Sequence, residues 1–519
     1  KLDNKPHGAG APAFLLVLLG GLGFAAFSII TDVRTAGETL EIGVFMMLAL
    51  ALLIALGFEF VNGFHDTANA VATVIYTHSL PPLVAVVWSG FWNFTGVLTS
   101  TGAVAFGIVT LLPVELILQA GAAAGYAMIF ALLFAAILWN LGTWYFGLPN
   151  SSSHTMIGSI LGIGLMNQIM APAAMGTTGV DWSQAIEVGK SLFFSPLVGF
   201  IGSALLFVLL KKFVPDPRLY AEPKGQDPPP FWVRGLLMLT CTGVSFAHGS
   251  NDGQKGMGLI MLILVGTVPA AYALNHAVSP QEVQTFLAVS HQTEEILGRY
   301  DGSEAPPNPR LALERLVSQA RLEPNTLPAL RVMAGRISAE ISDYGDYSEV
   351  PTQQSGNIRN DMYLAAEAIR VLDQKNLATF DREDSAALEN YGRELDRATK
   401  FIPTWVKVAV ALALGLGTMV GWKRIVVTVG ERIGQQHLTY AQGACSEVVA
   451  MATILGADSF GLPVSTTHVL TSGVAGTMAA NRAGLQWGTL RALAAAWLLT
   501  LPVSIVLAGG LFWCFRRLF

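Results

Sequence analysis

The chain alternates long apolar runs with short polar interruptions. Ten mainly apolar runs lie near 12–30, 43–62, 83–112, 127–146, 191–212, 232–247, 255–275, 404–421, 440–457 and 488–515. A membrane span needs about 20 such residues. Two shorter apolar pieces, 156–170 and 469–480, each follow a polar phrase. They are too short for comfortable spans and suit re-entrant arms. One stretch breaks the pattern: residues 281–400 hold 33 of the chain's 67 charged residues. Within it, apolar positions three and four apart predict helices over 310–321, 327–342, 358–376 and 384–399, punctuated by Pro306, Pro307, Pro309, Pro324 and Pro351. The pattern therefore predicts an all-α polytopic membrane protein with a small helical soluble insert. The first run, Phe14 to Ile30, reads as a span or anchor. It has no strong basic n-region and no small-x-small site followed by a soluble domain.

Composition sharpens this. The 519 residues are 52% hydrophobic and 13% charged, against about 25% charged in soluble domains. The net charge of −5 comes from the insert. Outside 281–400 there are 18 basic and 16 acidic residues, so nothing resembles a nucleic-acid stripe. Cys241, Cys445 and Cys514 sit in apolar runs at no metal-ligand spacing and read as buried small hydrophobes. Gly189-Lys190-Ser191 mimics the end of a phosphate-binding loop, but Gln184 stands where the first glycine belongs and no strand precedes it. No nucleophile elbow, HExxH or CxxC set is present, which argues against an enzyme. Lys211, Lys212, Arg218, Lys224 and Arg234 surround a Pro-rich linker and assign it to the cytoplasm. Lys423, Arg424 and Arg432 mark a second such loop. Arg516 and Arg517 pull the C-terminus the same way, in conflict with a single span after the second arm.

Two phrases occur twice. Phe-Gly-Leu-Pro-Asn-Ser-Ser-Ser-His at 146–154 returns as Phe-Gly-Leu-Pro-Val-Ser-Thr-Thr-His at 460–468, offset by 314 residues. Gly-Phe-His-Asp-Thr-Ala-Asn-Ala at 63–70 aligns with Gly-Ser-Asn-Asp-Gly-Gln-Lys-Gly at 249–256, offset by 186. The difference of 128 residues is close to the length of the charged stretch. One ancestral unit present twice, with an insert in the second copy, accounts for all of this. The expected divisions are an N-terminal tail and extra apolar segment (1–42), a first repeat (43–213), a linker (214–231), the start of a second repeat (232–276), the insert (277–402) and the rest of the second repeat (403–519). Paired Gly/Pro-broken apolar segments point to the substrate site of a secondary transporter.

The residues suggest an anion site beside a cation site. Pro149 and Pro463 are expected to stop the incoming helices. Ser151 and Ser465 are good N-caps for the helices that follow. The first turns then offer free amides and a positive dipole end, with further donors on Ser152, Ser153, Thr466 and Thr467. His154 and His468 close the phrases as anion donors or proton carriers. Asp66 and Asp252 lie inside apolar segments, where an unpaired charge costs on the order of 3 kcal/mol. His65, Asn69, His248, Asn251 and Lys255 surround them and suit a hard cation or a proton. Gly63, Gly249, Gly253 and Gly256 would permit unwound backbone there. Asn69 aligns with Lys255, an ammonium that cannot ligate a metal and supplies fixed charge instead.

These phrases resemble the inorganic phosphate transporter (Pit) family over about 43–276 and 403–515. The strings that carry the resemblance are Asn-Gly-Phe-His-Asp-Thr-Ala-Asn-Ala at 62–70, Trp-Asn-Leu-Gly-Thr-Trp-Tyr-Phe-Gly-Leu-Pro at 139–149, Ser-Phe-Ala-His-Gly-Ser-Asn-Asp-Gly-Gln-Lys-Gly at 245–256 and Gly-Leu-Pro-Val-Ser-Thr-Thr-His at 461–468. The resemblance is closest to the bacterial proton-coupled branch. It implies an inverted repeat of helices with two re-entrant hairpins, whose hydroxyls bind phosphate while the aspartate phrases take coupling cations. It also implies a multi-pass protein of the bacterial inner membrane that imports phosphate with protons, alone or as a neutral complex with a divalent cation such as magnesium. No cofactor or metal is bound permanently. Lys255 replaces the asparagine of the sodium-coupled branch, which argues against a sodium site, yet sodium coupling remains the alternative. A phosphate sensor signalling through the insert is the alternative of another class. The partners expected are phosphate, with arsenate as competitor, and the lipid bilayer, with a homodimer left open and no nucleic acid.

Overall fold

A computed structural model describes residues 10–112, 114–118, 122–171, 180, 182–223, 228–300 and 303–518, leaving out the side chains of 67–69, 114, 115 and 183. It is all-helical. Among the described residues the only β pairing is an isolated bridge between Gly434 and Leu485.

The N-terminal half contains α1 (Gly10–Thr35), α2 (Ile42–Tyr76), α3 (Pro82–Thr99), the short α4 (Ala103–Val109) and α5 (Val114–Leu118), α6 (Ala123–Tyr145), α7 (Ser152–Met170) and α8 (Trp182–Phe213). The linker carries α9 (Pro217–Tyr220), followed by α10 (Phe231–Thr267) and α11 (Pro269–Tyr272). The charged stretch forms α12 (Pro280–Tyr300), α13 (Pro309–Gln319), α14 (Thr326–Tyr344), α15 (Thr352–Gln374) and α16 (Arg382–Thr399). The remainder is α17 (Thr404–Thr418), α18 (Lys423–Glu431), α19 (Tyr440–Ser459), α20 (Thr466–Ala480) and α21 (Trp487–Leu518). The four helices predicted for the charged stretch are present as α13 to α16. The sequence reading missed α12.

Among the described residues, six helices are long and apolar enough to cross a membrane: α1, α2, α3, α6, most of α8, and α21. The run 232–247 and the run from 255 as far as Thr267 are one unbroken helix rather than two spans, and 83–112 breaks after Thr99. The expected unwinding at Gly63, Gly249, Gly253 and Gly256 does not occur, because all four lie inside continuous α2 or α10. These glycines serve close packing instead. A Cβ at Gly63 would stand 2.2 Å from the Leu414 carbonyl oxygen, and one at Gly249 would stand 2.1 Å from that of Asn93. At Gly253 and Gly256 it would meet Val97 and Glu59 side chains at 2.5 and 2.4 Å. Small residues let membrane helix backbones approach.

The packing is reciprocal. Helix α3 lies on α10 as α17 lies on α2, and α7 lies on α21 as α20 lies on α8. Gly96 meets the Phe246 carbonyl while Gly249 meets that of Asn93. Gly417 meets the Phe60 carbonyl while Gly63 meets that of Leu414. Helix α1 packs on α17, and its Asp32 accepts from Tyr272 Oη (2.7 Å) and Trp405 Nε1 (3.1 Å). The extra apolar segment therefore braces the root of the insert.

The ends of the bundle can be told apart. Arg234 Nε donates to the Ser79 carbonyl (2.8 Å), and the His437 amide donates to Glu222 (3.1 Å). The end of α2, the linker, the start of α10 and the start of α19 thus share one end. The Gln486 amide bonds to the Ile433 carbonyl there (2.9 Å), so α21 starts at this end. Its 32 residues carry Arg516 and Arg517 away from it. The charged stretch joins α10 and α17 at the opposite end. Cys241 and Cys445 are buried as expected, but Cys514 is exposed on α21, an apolar surface that faces outward.

Candidate functional site

The two repeated phrases build the same local structure. Helices α6 and α19 are ended by Gly147 and Gly461, both left-handed (φ +67° and +65°). The Leu148 amide reaches back to the Thr143 carbonyl, and the Leu462 amide to that of Ala457, each at 3.0 Å. This is a glycine stop. Pro149 and Pro463 come two residues later and only keep the helix from resuming, a correction to their expected role. Ser151 and Ser465 are N-caps as expected, accepting from the amides of His154 (3.2 Å) and His468 (3.1 Å). They are thereby committed to the backbone.

The starts of α7 and α20 meet at the aspartates. Ser152 Oγ donates to Asp66 Oδ2 (3.1 Å) and Asp252 Oδ2 (3.2 Å). Thr467 Oγ1 donates to Asp66 Oδ1. Lys255 Nζ bonds Asp252 Oδ2 and Ser153 Oγ, both at 2.6 Å, and Ser153 Oγ donates to the Val464 carbonyl at 2.6 Å. Asn251 Nδ2 donates to the Leu462 carbonyl (3.1 Å), tying α10 to the second turn. His65 lies beside Asp66 (Nδ1 to Oδ1, 3.6 Å), and its Nε2 meets Thr143 Oγ1 at 3.1 Å. All these side chains are buried.

Helix geometry explains the convergence. His248, Asp252 and Lys255 are four and three apart on α10, so they share a face. The sequence had set the hydroxyls expected to take an anion apart from the aspartates expected to take a cation, and the structure gathers these residues into one cluster. His154 and His468 point elsewhere. Their rings pack against one another at a tilt of 42° (centroids 4.5 Å apart), His154 Nδ1 turns back to Ser151 Oγ (2.9 Å), and His468 also packs on Trp497 (4.1 Å). Thr466 Oγ1 is buried with no hydrogen-bond partner. The side chain of Asn69 lies outside the described residues.

The cluster has the donor set for a cation. His248 Nδ1 donates to Asn93 Oδ1 (2.9 Å), which turns Nε2 toward Asp252 Oδ2 (3.5 Å) and Asp66 Oδ2 (3.8 Å). A ligating histidine usually anchors its other ring nitrogen in this way. Ligand atoms of Asp66, His248 and Asp252 lie within 4.8 Å of one another. His248 Nε2 and Asp252 Oδ1 have no hydrogen-bond partner. Two carboxylate oxygens and an imidazole are a donor set that could hold a divalent cation.

The sequence reading missed two buried carboxylates. Glu59 lies one and two turns before Asn62 and Asp66 on α2, and accepts from Asn62 Nδ2 (3.3 Å). Glu447 accepts from Thr73 and Thr240, and so joins α19 to α2 and α10. Their signal was plain, an acid within an apolar run.

An all-helical membrane protein that buries hydroxyls and paired carboxylates where helix starts meet is organised as a solute carrier. A family model described as the phosphate transporter family matches residues 62–508. The chain is 40% identical to the low-affinity inorganic phosphate transporter PitB of Escherichia coli K12 over 495 residues, covering 91% of this chain and 97% of that one. It is also 40% identical to PitA of the same strain, with 92% and 98% covered. A probable low-affinity inorganic phosphate transporter of Bacillus subtilis is 27% identical, with 91% and 99% covered. Among solved structures, a sodium-dependent phosphate transporter aligns with a TM-score of 0.51 at 19% identity, covering 91% of this chain and all of that one. The chain belongs to the phosphate transporter family. It is a membrane protein of a transporter family, not an enzyme family.

Proposed function

We propose that this protein imports inorganic phosphate across the bacterial inner membrane by proton symport. Phosphate travels alone or as a neutral complex with a divalent cation, and the mechanism is alternating access. The observation that carries this reading is that Ser152 bonds both aspartates at once. Hydroxyls suited to phosphate are thus held by carboxylates that repel it. Two like charges about 4 Å apart cost ~4 kcal/mol at an effective dielectric near 20. With Asp66 and Asp252 ionised, Lys255 charged and His248 neutral, the site is singly negative, and adding a phosphate dianion would make it triply negative. Two protons, or one divalent cation between the aspartates and His248, return it to a single negative charge and release Ser152 and Thr467 to the phosphate. Anion entry therefore requires cation entry, which is symport.

The reciprocal packing supports an inverted repeat, with α6–α7 and α19–α20 as its re-entrant hairpins. The basic residues of the linker end support a cytoplasmic assignment for that end, which puts the charged insert, read as a separate module over 277–402, on the outer face. Arsenate, alike in shape and charge, competes for the site. Lys255, already committed to Asp252 and Ser153, puts a fixed ammonium where sodium coupling would need a neutral ligand. The test is phosphate uptake into proteoliposomes under an imposed pH gradient, with and without magnesium, in sodium-free buffer. Gradient-driven uptake is expected. Strict dependence on sodium rejects proton coupling.

A further inference from the structure

Positive charge also gathers outside the aspartate cluster. A recess of about 340 Å³ opens between the end of α6 and α18, lined by Tyr145, Phe146, Gly147, Lys423, Arg424 and Arg432. Arg424 is fixed in place. It donates to the Tyr145 carbonyl, and its guanidinium carbon stands 5.0 Å from the ring centroids of both Trp144 and Tyr145. Thr428 Oγ1 donates to the Gly147 carbonyl (2.7 Å). The last carbonyls of α6, which would repel an anion, are therefore covered. The nearest acid on α18, Glu431, accepts the Tyr76 hydroxyl (2.7 Å), which turns its charge toward the end of α2. The wall left facing the recess is cationic.

The recess has two neighbours. On one side Tyr145 and Phe146 are 61% and 73% exposed. Exposed aromatics beside basic side chains mark the level of lipid headgroups. On the other side Gly147 lies four residues before the Ser151 cap, in the turn that delivers Ser152 to the aspartates. Arginine and lysine on a shallow recess recognise phosphate oxygens. We propose that this recess is a second anion site, specific for a phosphate-bearing group: inorganic phosphate in passage to or from the aspartates, or the headgroup of an anionic phospholipid. An anion held there grips the turn from outside and sets how readily the first hydroxyl phrase moves.

The test uses the full chain with its central site disabled by Ser152→Ala and Thr467→Ala, so that failure of the transport reading does not decide the outcome. This protein, with and without Lys423→Gln and Arg432→Gln, goes into phosphatidylcholine nanodiscs and into mixed phosphatidylcholine–phosphatidylglycerol nanodiscs. Inorganic phosphate binding is measured by calorimetry in the first, and retained phosphatidylglycerol by native mass spectrometry in the second. Losing two charge-assisted contacts should weaken binding about tenfold or more. A drop in phosphate affinity assigns the recess to the passing ion, and a drop in retained phosphatidylglycerol assigns it to lipid. If both measurements match those of the parent in proteins of equal melting temperature, the proposal is wrong. Arg432→Glu, which keeps Lys423 in place, repeats the test in a second variant.

Discussion

The two copies of the repeat hold the same junction by opposite means. In the first, Phe64 on α2 meets Trp144 at the end of α6, ring edge to face, with centroids 5.3 Å apart. The equivalent positions in the second copy are Ser250 and Asp458. There the serine hydroxyl donates to the carboxylate (2.6 Å), and Gln254 Nε2 donates to it as well (2.7 Å). One junction is dry and the other polar, although the backbone course is shared. A hydrogen bond traded for water costs only about 0.5–1.5 kcal/mol net, whereas parting two aromatic faces exposes apolar area with no such replacement. If the two junctions act as doors, they should differ in stiffness, with the polar one parting at lower cost.

The same inequality runs through the charged positions, and the largest test lies there. Lys255 is paired with Asp252 and not with Asp66. Asp66→Asn and Asp252→Asn should both reduce proteoliposome uptake to background. Only Asp252→Asn strands a buried ammonium, at a cost of about 3–5 kcal/mol. A lower melting temperature for that variant alone is expected, and equal melting of the two would remove the asymmetry. Next, Trp144→Ala should cost about 3 kcal/mol or more of stability, because it empties a packed aromatic site. Gly63→Ala and Gly249→Ala each drive a Cβ into a backbone carbonyl, and should cost about 1–3 kcal/mol through forced helix separation. A similar loss at both glycines in denaturant unfolding would show that the copies share their helix crossings while differing in their doors. The smallest effect, about 1 kcal/mol, belongs to Asp458→Asn, which keeps one acceptor. If Asp458→Asn destabilises as much as Trp144→Ala, the polar door is no looser than the dry one.

Much of this was legible from residue order. Serine after proline in a repeated phrase foretold the caps at Ser151 and Ser465. Aspartates inside apolar runs foretold the buried pair, and three- and four-residue spacing foretold α13 to α16. What was hidden has a common cause. Gly63 and Gly249 read equally well as places to unwind or places to pack, and only the partner helix decides. Whether His154 faces the guest or His468 depends on how two helix starts cross. The gathering of hydroxyls and aspartates into one cluster depends on a contact between α2 and α20, 401 residues apart between Asp66 and Thr467, which no local pattern encodes.

One rod carries the most. Helix α10 runs unbroken for 37 residues, about 55 Å at 1.5 Å per residue, against a hydrocarbon layer of about 30 Å. Asp252 rides near its middle, and the charged bundle is rooted at its far tip. Rocking this beam would swing the carboxylate and the charged bundle together, so a load placed on the bundle would arrive as torque at Asp252.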